Sequence, residues 1–147
     1  MKEIKLVISK TEVLKSVSLN SEYTGAGAFV DVTLYDRVTT AEVDEALLHR
    51  FWLEMAGEVM EKLQPFIVNS SLDDNGLTLT LEVSGSYEDS FTPSVLTDLA
   101  AAFSAGISGR WFRLTCADQS LEWIQQSFNL LDRVVSKLCF RRRPVRE

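Results

Sequence analysis

The chain has 147 residues, 15 Lys or Arg against 21 Asp or Glu, and a formal charge of −6. That length suits one domain with a core of its own, stable without disulfides or a metal, and a composition of 46% hydrophobic and 24% charged residues excludes a wholly disordered chain. Residues 137 to 147 hold five Lys or Arg against Glu147 alone, leaving ten basic and twenty acidic side chains before them, so an acidic body that repels a nucleic-acid backbone ends in a compact basic arm.

In chain order, the first segment, "KEIKLVIS", alternates Ile4, Leu6 and Ile8 with polar positions, as a half-buried strand or as an ordered lead-in to a helix. Ser9 and Glu12 have capping-box spacing, and Val13, Leu14 and Val17 supply the apolar side of a short helix expected to end near Ser18. Gly25 and Gly27 then read as a turn, after which Phe29, Val30, Val32 and Leu34 bring the chain back to the core. The clearest helix follows a Thr39/Glu42 capping box: Val43, Leu47, Phe51, Met55 and Val59 recur every four residues, with Leu48, Trp52 and Leu63 widening the stripe. Pro65 stops it, and Gly57 is a candidate close-contact position.

"NSSLDDNG" reads as turn-rich, and "LTLTLEV" alternates Leu77, Leu79, Leu81 and Val83 as the best strand signal in the chain. "IVNSSL" is a candidate hairpin partner for it. Residues 4–8, residues 29–34 or a neighbouring subunit are the other segments that can complete the sheet. Thr92 as cap with Pro93 in first position starts a further helix carrying Val95, Leu96, Leu99, Ala100 and Phe103, with a bend allowed at Gly106 and Gly109. A last helix spans "ADQSLEWIQQSFNLLDRVVSKLCF", where Leu121, Ile124, Phe128, Leu131, Val135 and Leu138 share one broad face. Together these elements predict an α+β fold. It is one helix-rich domain over residues 1–140 with two or three short strands, 77–83 among them, followed by a basic arm over 141–147.

Chemical motifs are sparse. His49, the only histidine, sits beside an apolar stripe without a catalytic partner, and Cys116 and Cys139 lack zinc-site spacing with it. The acidic pairs Asp44/Glu45 and Asp73/Asp74 suit a helix start and a polar turn, and neither has a calcium-loop pattern. No serine lies in a nucleophile motif. No catalytic residue, metal or cofactor is therefore assigned, and the function is expected to be non-enzymatic. The opening residues lack a secretory apolar run, and no stretch approaches the roughly 18 apolar residues of a membrane span, so a cytoplasmic protein with no membrane contact is expected.

The residues that invite interaction are Arg110, Trp111 and Arg113 in "GRWFRL" and Arg141, Arg142, Arg143 and Arg146 in the arm. The first group either packs its aromatic rings in the core with the arginines facing solvent, or combines aromatic area with guanidinium donors, a pairing enriched at binding hot spots. The second can meet a helix C-terminus, a neighbour's carboxylates or DNA phosphates.

The phrases "KTEVLKSVSLNSEYTGAG", "YDRVTTAEVDEALLHRFWLEMA" and "DRVVSKLCFRRRP" resemble small proteins encoded in the neck or tail modules of phages and prophages. That resemblance implies a structural subunit, a head-tail connector or tail-associated protein, that enters a virion and works by contacts with copies of itself or with neighbouring structural proteins. The alternative class is a small nucleic-acid-associated regulator that uses the basic arm.

Overall fold

Alternation in the first eight residues does produce a strand. In the computed structural model, which describes residues 1–28 and 45–140, β1 (Lys2–Ser9) buries Leu6 and Ile8 and turns Val7 to solvent. The chain passes directly into α1 (Lys10–Ala28). Half of the expected capping box forms there, with the Glu12 N–H donating to Ser9 Oγ at 3.4 Å.

Beyond Ser18 the expectation fails, because α1 continues to Ala28. On either side of Ser18 the helix makes polar contacts that an apolar pattern does not reveal. Ser16 Oγ lies 2.9 Å from Ser104 Oγ, and Asn20 Nδ2 donates to Ser104 Oγ at 3.1 Å and to Ser108 Oγ at 3.2 Å. The return segment at Phe29 to Leu34 and the Thr39/Glu42 capping box lie outside the described residues.

Helix α2 (Glu45–Lys62) follows its expected stripe, burying Leu48, Phe51, Trp52, Met55 and Val59, with Leu63 just beyond its end. The chain then turns through Pro65, which has no N–H with which to continue the helix. Gly57 is not a contact position: a Cβ there would meet nothing within 4 Å.

The hairpin is tighter than a turn-rich segment implies. Asn69 to Asp73 belong to β2 (Ile67–Asp73), and only Asp74 and Asn75 separate it from β3 (Gly76–Val83). Asp73 Oδ1 accepts the N–H groups of Asn75 at 2.8 Å and Gly76 at 3.0 Å, an Asx-type lock on the turn. Gly76 itself is required by crowding, since a Cβ there would run into the Ile8 carbonyl. Both neighbours of β3 are antiparallel to it, so the sheet order is β1-β3-β2. Leu77, Leu79, Leu81 and Val83 join Leu6 and Ile8 on the buried face.

A 3-10 turn (Asp89–Phe91) leads into α3 (Thr92–Thr115). Pro93 lies in the first turn but one position later than expected, because Thr92 is not the cap. The cap position is Phe91, and the Thr92 hydroxyl lies 3.1 Å from the Tyr87 hydroxyl. α3 is central, touching α1, α2, α4 and β1, and it is accordingly buried from Val95 to Phe112 on nearly every side.

The helix runs unbroken through Gly106 and Gly109. Both glycines serve close approach: a Cβ at Gly106 would strike the Met55 side chain, and one at Gly109 would strike Ile124. Cys116 alone links α3 to α4 (Ala117–Cys139), and this helical hairpin is sewn by Ser120 Oγ donating to the Gly109 carbonyl and Ser127 Oγ to the Ala102 carbonyl, each at 2.9 Å. The described residues thus form a helix-rich single domain of four helices and one three-stranded antiparallel sheet around a shared core.

Candidate interaction surface

Consecutive helical residues point about 100° apart, and the "GRWFRL" stretch of α3 is divided accordingly. Arg110 turns towards α2. Its Nε lies 3.3 Å from Glu54 Oε2, its second nitrogen pairs with Glu58, and Nη1 donates to the Gly106 carbonyl at 3.0 Å and to Met55 Sδ at 3.6 Å. Trp111 is only 4% exposed and belongs to the core. Arg113 is exposed, and no acidic side chain pairs with it among the described residues. Of the three expected anchors, one is an interhelical clamp, one is core, and one faces outward.

The apolar face of α4 is rotated from its expected setting. Ser120, Ser127, Leu130, Leu131, Val134 and Leu138 are buried, whereas Leu121 is 76% exposed and Phe128 54% exposed. The small Ser120 and Ser127 side chains face α3 because the glycines opposite admit a close helix pair, and that rotation lifts Leu121 and Phe128 out. They stand two turns apart, about 10 Å along the axis.

Phe128 forms a ridge between two hollows. One lies beside the end of α2 and is lined by Glu61, Lys62, Pro65 and Leu131, and the other is lined by Arg110, Arg113, Ile124 and Ser127. Glu58 borders both. An exposed aromatic next to an arginine without an acidic partner is suited to a protein surface that offers an apolar pocket and a carboxylate.

Of the remaining chemical candidates, His49 has a structural partner. Lys10 Nζ lies 2.5 Å from His49 Nδ1, and since an ammonium can only donate, Nδ1 accepts. Cys116 and Cys139 are free and sit at opposite ends of α4, about 34 Å apart by helical rise. Among the described residues no group of three His, Cys, Asp or Glu side chains could hold a metal ion, and no helix is long and apolar enough to cross a membrane.

Arg141, Arg142, Arg143 and Arg146 lie outside the described residues. Their point of departure is defined: the Phe140 ring packs on Phe91 with centroids 4.8 Å apart, which ties the end of α4 to the turn before α3. Compared with known proteins, the chain matches no family model, no curated protein and no solved structure.

Proposed function

We propose that this chain is a non-enzymatic assembly subunit that binds a neighbouring structural protein through the α4 face carrying Leu121 and Phe128, with Arg113 beside it. The observation that carries the reading is the exposure of Phe128 between two hollows, next to a cation with no acidic partner among the described residues. Exposed apolar side chains grouped on one face mark protein–protein contact sites. The sequence resemblance to phage neck and tail modules supports the same class, with the chain acting as a connector or tail-associated part through repeated contacts.

The test is reconstitution. The purified chain is mixed with the purified products of its flanking genes, and the mass of each mixture is read by light scattering. A defined complex is expected with one of them, and replacing both Leu121 and Phe128 by Ser is expected to abolish it while the circular dichroism of the free chain stays unchanged. A complex indifferent to both substitutions rejects this face, and no complex with any flanking product rejects the role.

A further inference from the structure

Among the described residues, the strand β2 has one hydrogen-bonding neighbour, β3, and an edge on its other side that none of them pairs with. Open edges in soluble proteins are normally guarded by Lys, Pro or inward charge. From Val68 to Leu72 the strand reads Val-Asn-Ser-Ser-Leu, with no charge and no proline. Each of these residues is exposed, and Val68 at 53% and Leu72 at 39% are the large apolar ones. The opposite edge differs: β1 carries Lys2, Glu3 and Lys5, and Lys2 is tied to Asp89 and to the Tyr87 carbonyl.

The main-chain direction along β2 follows from one bond. The Glu82 N–H donates to the Phe66 carbonyl at 2.7 Å, so the even-numbered residues of β3 turn their main-chain groups towards β2. Their partners are Asn69 with Thr80, Ser71 with Thr78 and Asp73 with Gly76. Ser70 and Leu72 therefore point their N–H and C=O groups away from β3. Val68 falls where the register shifts and has no partner on β3.

We infer that β2 pairs with β2 of a second copy of this chain, antiparallel across a two-fold axis at Ser70, joining two sheets into one of six strands. The residue spacing singles out that partner. About Ser70, Leu72 of each copy falls opposite Val68 of the other, so the exposed apolar side chains of the strand cover each other twice. Ser70 meets its own copy, through the outward main-chain groups that an antiparallel pair needs. Asp73, the only charged residue of the strand, meets Ile67, and the two Asp73 carboxylates lie at opposite ends of the contact. A self-complementary patch of this kind is what a closed two-fold contact requires, and strand addition supplies its main-chain bonds. The contact uses none of the Leu121 and Phe128 face and stands whether or not that face binds a neighbour.

The experiment is sedimentation of the full chain over a wide concentration range, with amide hydrogen exchange on the same samples. A reversible dimer is expected, with the Ser70 and Leu72 amides gaining protection as it forms. Ser70→Pro removes an outward donor without touching the bonds to β3, a substitution edge strands tolerate, and is expected to give a folded monomer. The double variant Val68→Lys, Leu72→Lys leaves the backbone unchanged and sets like charges opposite each other; it is expected to weaken self-association at least tenfold. A chain monomeric at every concentration overturns the inference. So does a dimer that survives both variants, a dimer lost only on changing Leu121 and Phe128, or protection of β2 that appears only when a different protein is added.

Discussion

Lys137, in the last turn of α4, donates to Asp98 of α3 at 2.6 Å, with both side chains largely withdrawn from solvent. It also reaches Ser94, while Arg133 stands 3.8 Å from the other Asp98 oxygen. In sequence Lys137 belongs with the basic arm, but in the fold its charge is directed inward. Asp98→Asn keeps the shape and leaves the ammonium facing an amide. Unfolding in urea should show a loss of about 1–3 kcal/mol, less than a fully buried pair because some water contact remains. Lys137→Met should then cost less in the Asp98→Asn background than in the wild type. Additive losses would show that the two residues are not coupled.

Three helical glycines should respond differently to Ala. Gly57 is exposed and a Cβ there meets nothing, so Gly57→Ala should stabilise α2 by about 0.5–1 kcal/mol through helix propensity. At Gly109 the new Cβ would strike Ile124 Cγ1 and crowd the Ile124 backbone nitrogen, which cannot move without parting the helices. At Gly106 the obstacle is mainly the flexible Met55 side chain. Melting temperatures should therefore rank Gly57→Ala above wild type, Gly106→Ala below it and Gly109→Ala lowest.

Asn20 lies just beyond the apolar stripe of α1 and ties the helix there to α3. Asn20→Ala strips both amide bonds from Ser104 and Ser108, and Ser108 is fully buried. A loss of about 1–2 kcal/mol is expected from the unmet buried group. Hydrogen exchange should locate the effect, with faster exchange in α1 after Ser18 and unchanged rates in β3. Uniform acceleration across the chain would contradict a local role.

Two leucines of α4 offer a direct check on its rotation. Leu131, 3% exposed, should cost about 2–5 kcal/mol on truncation to Ala, as large-to-small changes in a core do. Leu121→Ala should change stability by no more than about 0.5 kcal/mol. Equal losses at the two positions would return Leu121 to the packed face.

Strand alternation and the stripe of α2 were legible because burial there follows apolar spacing, as Leu77 to Val83 and Phe51 to Val59 show. The length of α1 and the rotation of α4 were not. Both depend on small or polar residues packed against one another: Asn20 on Ser104 and Ser108, Ser120 and Ser127 on α3 carbonyls. The signal that could have found the second was the run of Ala102, Gly106 and Gly109 facing serines seven residues apart, which marks a close helix pair. For the candidate surface, the Arg110 clamp depends on which helix lies across from α3, and one sequence does not contain that pairing. Phe128 was read as core for the same reason.

Leu6 is seated opposite Leu79, a pairing that spans about half the length of the chain. Loop closure over such a distance is costly, whereas the α3–α4 hairpin, turning on Cys116 alone, closes locally. During synthesis β1 emerges first and has no strand to join until β3 has followed. Lys2, Glu3 and Lys5 place charges of alternating sign along that strand. Charge on a half-apolar strand disfavours pairing with a wrong chain for as long as its proper neighbour is absent.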